Sequence, residues 1–406
     1  MISLIETNNY RSLKFIHRQL ENFQILVGPN ASGKTTFLDV VQFISDIISE
    51  GIDKAITKRS SNFNELTFSG LGGSIELAIE AILPDHIVEK IGTNQYNTIR
   101  YEVRIGLNNE TAEHEINEEN VLLLNRKRIT AMVNQKTSSF PLEHLKEQST
   151  IIDNRSKERI LKSASGGRKI NKLFTNDLFP YIIKRDSESL RIFEETVNNT
   201  DTSLNQKAKC KSGIKKSALG NFPFDDNFFP ASTWFKEYIV EGIQMIILDS
   251  INIRKSSPPG QPKKFKTDGS NLPWVINDLV KHPRQFESWI KHLRTALPDI
   301  ETIETVERED DRHRYLRIKY NNGISVPSWL VSDGTLRLLA LTLPAYLPDF
   351  SGVYLIEEPE NGIHPKAIET VYQSLSSVYN AQILLATHST VILSLVKPEQ
   401  ILCFAK

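Results

Sequence analysis

The sequence predicts an α/β protein: a mixed, largely parallel core sheet, an antiparallel β subdomain and a polar, α-rich insertion. Three observations carry this. Towards the C-terminus, apolar runs alternate with amphipathic stretches: Val353–Ile356, Lys366–Val378, Gln382–Ala386, Val391–Val396 and Gln400–Phe404. Strands and helices in that order form a parallel sheet covered on both faces. Near the N-terminus the apolar Phe23–Val27 runs into a glycine loop and then a helical pattern over Lys34–Ser49. Finally, "SIELAIEAIL" (Ser74–Leu83) and "TIRYEVRIGL" (Thr98–Leu107) alternate apolar and polar residues, as antiparallel strands with one wet face do.

The remaining elements follow in order. "MISLIETNNYRSLKF" opens with a strand over Ile2–Thr7 and a turn, and it lacks the apolar core of a signal peptide. Residues 1–109 form an N-terminal lobe. From 110 to 235 the chain becomes rich in Lys, Asn and Ser, the composition of an insertion. Its segment 151–220 holds 15 Lys/Arg against 8 Asp/Glu, with Lys207, Lys209 and Lys211 close together. That excess suits a DNA or partner surface, and equally a solvated flexible one. Residues 236–406 form a C-terminal lobe: a buried strand in "GIQMIILDSI", helices over Trp274–Val280 and Arg284–Leu297, and strands around "YLRIKY". No heptad pattern persists, so a long coiled-coil arm is not expected.

Bulk properties narrow the function. A chain of 406 residues can bury a large core. Lys plus Arg and Asp plus Glu both number 49, so global charge gives no reason to expect a nucleic-acid or membrane partner. The apolar run "YIVEGIQMIILDSI" is too short and too charged to span a bilayer. Cys210 and Cys403 lie far apart in no metal-ligand spacing, which fits a reducing cytoplasm.

"GPNASGKT" fits G-x-x-x-x-G-K-[ST] at Gly28, Gly33, Lys34 and Thr35, between a strand and a helix as the motif requires. Gly28 and Gly33 let the backbone N–H groups of the loop, through Pro29, Asn30, Ala31 and Ser32, close around phosphates. The helix N-terminus, with Thr36 in its first turn, adds a positive dipole. Lys34 can reach the β- and γ-phosphates, and the Thr35 hydroxyl can ligand Mg²⁺. ATP with Mg²⁺ is the default ligand. A glycine-rich turn matching by chance is the competing reading.

"VYLIEEPENGIHP" ends a buried strand in Glu357 and Glu358. A parallel strand adjacent to the phosphate-loop strand would place both carboxylates beside the phosphates. Glu357 would then hold Mg²⁺ through water, and Glu358 would orient the attacking water. The alternative is a solvated acidic strand end. "ILLATHST" brings His388 to the end of the next strand, where an imidazole can bond the γ-phosphate or serve structure alone. In "LVSDGTLRLLAL", Ser332 and Gly334 open an apolar helix. They either cap it or grip the γ-phosphate of a nucleotide held by another subunit.

With these motifs placed, the chain resembles the ABC-type ATPase heads of the SMC, RecF, RecN and OLD group. "GPNASGKTT" looks like their Walker A, "VSDGTLR" like their signature segment, "YLIEEPENGIHP" like Walker B and D-loop, and "LLATHST" like their switch histidine. "DGSNLP" (Asp268–Pro273) is similar to compact members. The resemblance implies an ABC-type P-loop head and a head-to-head dimer with two composite sites, each combining Lys34, Glu358 and His388 with Ser332 and Gly334 of the other subunit. "NNYRS" looks like the segment near the nucleotide in these heads, which makes Arg11 a candidate. No Q-loop glutamine can be placed. Glu357 stands where an Asp is usual.

Because the sequence ends soon after His388, a C-terminal Toprim nuclease is not expected, and the chain is similar to compact anti-phage ATPase subunits (PtuA- or AriA-like) that work with a separate effector. The expected function is an ATPase that controls a partner nuclease or toxin. A RecF-like repair ATPase binding DNA directly, and a nucleotide-gated scaffold with little hydrolysis, are the alternatives.

Overall fold

The computed structural model describes residues 1–92, 96–108, 111, 113–125, 181–186, 189–195, 215–221, 225–348 and 351–405. Lys207, Lys209, Cys210 and Lys211 lie outside these, as does most of the basic 151–220 segment. The chain forms two units, Met1–Leu20 with Thr36–Glu241, and Glu21–Thr35 with Gly242–Lys406. No helix among the described residues is long and apolar enough to cross a membrane.

The first unit is built on an antiparallel sheet. Its strands are β1 (Ile2–Tyr10), β2 (Leu13–Gln19), β4 (Ile75–Ile82), β5 (Thr98–Leu107), β6 (His114–Leu124), β7 (Tyr181–Arg185) and β8 (Leu190–Ile192), in the order β2-β1-β4-β5-β6-β7-β8. The β4–β5 pairing is as the alternation predicts. The expected wet face is not: Glu80 and Glu102 are 0 % exposed and Arg100 1 %. Arg100 donates to Glu102 Oε1 (2.6 Å), to Glu80 Oε1 (2.9 Å) and to Glu6 Oε2. Arg104 joins Glu76 (2.8 Å) to Glu118 (2.6 Å). Carboxylates that share a hydrogen-bonded guanidinium can be taken out of water with it. The same network hides β6 from a hydrophobicity reading, because its residues answer the charges of β5. Strand β2, half-exposed at the sheet edge, escapes it because Lys14, His17 and Arg18 interrupt its apolar residues.

The described part of 110–235 supplies β6, β7 and β8 to this sheet and two helices, Ala218–Asn221 and Pro230–Glu241. The longer helix is anchored at its N-terminus by Glu195, which accepts from Ala231 N (2.5 Å), Ser232 N (2.9 Å) and Ser232 Oγ (2.5 Å). Burial outweighs these bonds and pushes the Glu195 carboxyl up to about 7. A raised carboxyl stabilises the fold below the unfolded-state range, and that stability is lost as pH rises through 7. Glu195→Gln should therefore flatten a component of the pH dependence of thermal unfolding, worth up to about 3 kcal/mol between pH ~4.5 and ~7. Identical pH profiles for wild type and variant would refute this.

The second unit holds a parallel sheet of β15 (Ile401–Cys403), β3 (Phe23–Val27), β14 (Gln382–Ala386), β13 (Val353–Glu357) and β9 (Ile243–Ile246), in that order. Ile25, Tyr354, Ile356, Ile383 and Leu385 enter one core with Leu336 and Leu339 of helix Asp333–Thr342 and Ile368 and Val371 of helix Pro365–Ser376. Leu26, Leu355 and Leu384, on the opposite face, are also 0 % exposed. Strands buried on both faces read as continuous apolar runs, which is why these were visible in sequence. One expectation is corrected. β13 does not adjoin β3, since β14 lies between them. A three-stranded antiparallel sheet of β10 (Ile300–Glu307), β11 (Arg314–Tyr320) and β12 (Ser325–Pro327) completes the unit.

Candidate functional site

Register fixes what meets at the C-terminal edge of the parallel sheet. Ala386 pairs with Glu357 on one side and Leu26 on the other, so the segments after β3, β13 and β14 leave from one level. The loop after β3 folds tightly. Ala31 (φ 61°) and Gly33 (φ 103°) adopt left-handed backbone. A Cβ on Gly28 would come within 2.4 Å of Phe404 O and 2.7 Å of Ser32 Oγ, so only glycine fits. Lys34 opens the helix Lys34–Glu50, and its Nζ donates to the carbonyls of Gly28 (2.8 Å) and Pro29 (3.1 Å). The ammonium thus lies against the loop's own backbone, above the cradle. Burial lowers its pKa, while the charges of Glu358 and Glu357 oppose that shift. Pro29, Asn30 and Thr35 are exposed.

Glu357 is the last residue of β13, and Glu358 follows in a left-handed conformation, φ 44°. A non-glycine residue there is strained and must be held. Its N–H donates to Ala386 O (2.8 Å), its carbonyl accepts from Asn361 N (3.0 Å), and its Oε2 accepts from Asn361 Nδ2. Glu358 Oε1 lies 3.9 Å from His388 Nε2. Lys34, Glu357, Glu358 and His388 are thus drawn to one edge, as their positions in sequence predict.

Ser332 caps helix Asp333–Thr342, its hydroxyl accepting from Thr335 N (3.2 Å). Gly334 has a reason of its own within the chain. A Cβ there would stand 2.7 Å from Gly362 O, in the turn after Glu358. Gly334→Ala should force these segments apart and lower stability by about 1–3 kcal/mol, read from thermal melting. An unchanged melting temperature would show that the helix start can retreat from the turn. Among the described residues Ser332 makes no hydrogen bond to the phosphate loop.

Arg11, in the turn between β1 and β2, is engaged in the first unit. Its guanidinium donates to Asp39 Oδ2 (3.1 Å) and Arg59 O (3.4 Å). Asp39 also accepts from the Tyr10 hydroxyl (2.5 Å) and Arg59 Nε (2.8 Å). The Thr36 hydroxyl bonds Ser12 Oγ at 2.9 Å.

Sequence reasoning passed over three residues. Glu360 Oε1 accepts from both Thr387 Oγ1 and His388 N, at 2.7 Å each, tying the end of β14 to the turn after β13. Asn361 reaches the Glu358 carboxylate. Arg254 donates to Asp333 Oδ1 at 2.6 Å and holds that carboxyl below the usual range. The first two stand in "EEPEN", where a third carboxylate and an amide so close to a strand end were a usable signal. Arg254 is remote in sequence and gave none.

A phosphate loop, a strand-end carboxylate pair and a strand-end histidine thus meet on one parallel-sheet edge, in a chain that also carries an antiparallel sheet. The fold agrees with a solved SMC head bound to the C-winged helix domain of ScpA, with TM-score 0.50 over 97% of this chain and 92% of that one. At 14% identity that likeness concerns the fold alone. Residues 23–394 match the family described as "AAA domain, putative AbiEii toxin, Type IV TA system", and the chain belongs to that family. It is also 24% identical over 430 residues to "Retron Vc95 probable ATPase" of Vibrio cholerae serotype O1 biovar El Tor, an alignment spanning 98% of this chain and 72% of that protein.

Proposed function

We propose that this protein binds ATP with Mg²⁺ and hydrolyses it slowly, in the cytoplasm, as a nucleotide-driven switch. The observation that supports this best is the convergence of Lys34, Glu357, Glu358 and His388 on one sheet edge, with β14 in register between its neighbours. The loop Gly28–Gly33 suits a phosphate chain: left-handed turns at Ala31 and Gly33 are of the kind that bring successive N–H groups to one side, and Gly28 lets the loop close against Phe404 O and Ser32 Oγ. Thr35, exposed at the helix start, and Glu357, at the strand end, would hold Mg²⁺. When bound, the metal neutralises phosphate charge.

The chain's own residues then do the following. Lys34 turns from the loop carbonyls to the β- and γ-phosphates. Glu358 orients a water and takes its proton as the water oxygen bonds to the γ-phosphorus. The bond to the β,γ-bridging oxygen breaks, and ADP and phosphate leave. His388 bonds the γ-phosphate and registers its loss. Ser332 and Gly334 face the nucleotide of a second copy in a head-to-head dimer.

Similarity to a retron ATPase supports a role in anti-phage defence, with a separately encoded nuclease or toxin as the controlled partner. The 110–235 segment would supply the surface for that partner or for DNA. Lys34→Ala tests the foundation. It should abolish binding of a fluorescent ATP analogue without changing the melting temperature, and wild-type affinity in this variant would remove the nucleotide from the account.

A further inference from the structure

We propose that Asn361 is a positioning residue for hydrolysis, acting through the Glu358 carboxylate. This rests on the reading of Glu358 as the group that orients the attacking water. The turn from Glu358 to Asn361 is closed by backbone alone, through Asn361 N to Glu358 O at 3.0 Å. It is fixed to β14 by Glu358 N to Ala386 O at 2.8 Å, and by Glu360 to Thr387 and His388 at 2.7 Å. The next residue, Gly362, is left-handed (φ 74°) and packs against Gly334. The fold of this turn therefore has no need of the Asn361 side chain.

That side chain is spent on the tip of the carboxylate instead. Facing an acceptor-only group, the amide must present its Nδ2 as donor, and it does so to Glu358 Oε2. The Glu358 side chain is 45% exposed, so its carboxylate would otherwise sample several rotamers. The bond to Oε2 draws on that oxygen's electron density and fixes the group, so Oε1 is the more basic oxygen, and it is the one on the side of His388, 3.9 Å from Nε2. That separation is too long for a direct hydrogen bond. Asn361 thereby selects which oxygen receives the proton and in which direction it points, while Glu360 holds the histidine opposite. The geometry of a general base is worth as much as its basicity, and a misplacement of about 1 Å costs on the order of 100-fold.

The test is a cycle of variants of the full chain. Asn361→Ala should lower kcat about 10- to 100-fold. KM for ATP, affinity for a fluorescent ATP analogue and melting temperature should stay close to wild type. Asn361→Gln, which keeps the donor one methylene further out, should recover part of the loss. Asn361→Asp, which places a second carboxylate against Glu358, should fall below the alanine variant. In a Glu358→Gln background Asn361→Ala should cost nothing further, because residues acting through one group are not additive. A loss of equal factor in both backgrounds, or a parallel fall in affinity and melting temperature, overturns the proposal in favour of a structural role. So does wild-type turnover of Asn361→Ala when Glu358→Gln alone is inactive. If Glu358→Gln itself turns over at the wild-type rate, the reading of Glu358 fails first and takes this proposal with it.

Discussion

Glu358→Gln is expected to lower ATP turnover by about 10²–10³-fold while leaving nucleotide affinity nearly unchanged. Glutamine keeps the length and most of the hydrogen-bonding capacity of glutamate, so the turn held by Ala386 O and Asn361 N survives. What disappears is the ability to take the water's proton. Because hydrolysis would then lag behind binding, the variant should also accumulate as an ATP-bound dimer in size-exclusion chromatography. Single-turnover kinetics with radiolabelled ATP separates the two steps. Turnover unaffected by the substitution would be decisive against Glu358. Turnover lost together with affinity would mean that the change had disturbed the loop instead.

Arg100→Met is expected to be the most damaging substitution for stability in the first unit, costing about 3–5 kcal/mol or preventing folding altogether. Methionine is close in volume to the arginine stem and packs readily, so the loss is electrostatic. Glu6, Glu80 and Glu102 lose the cation they share in a place where none is more than 2 % exposed. Burial alone would lower the Arg100 pKa, but the charges of Glu6, Glu102 and Glu80 more than compensate and raise it. A triple variant adding Glu80→Gln and Glu102→Gln should regain a substantial part of the stability, since it removes buried charge along with the missing cation. Denaturant unfolding of the three proteins reads this directly. A cost below about 1 kcal/mol for Arg100→Met would mean that the carboxylates reach other cations or water without strain.

The parts of this molecule legible in sequence are those whose physics is local. Phe23–Val27 and Gln382–Ala386 were placed to the residue, because strands buried on both faces are mostly apolar. The phosphate loop was legible because its glycines answer a backbone demand within six residues. The order of strands was not legible. Nothing in Val353–Glu357 or Gln382–Ala386 says which lies beside β3, since both are five-residue strands with four consecutive apolar residues. The charged face of the antiparallel sheet was misread for a related reason. Alternation shows that two faces differ, but only the partners of Glu80 and Glu102 decide whether the polar one meets water. At Gly334 the structure adds a demand that sequence could not show: a Cβ there would meet Gly362 O of its own chain.

The strand order carries one more consequence. The strands that carry the phosphate loop and the carboxylates, β3 and β13, are not neighbours, and each is hydrogen-bonded to β14. Both edges of this strand are occupied, so its amide protons can exchange with solvent only when the sheet parts on at least one side. Deuterium uptake at Ile383, Leu384 and Leu385 would then gauge the work needed to separate grip from cleavage. A nucleotide that strengthens the link should slow that uptake even though it touches none of the three residues.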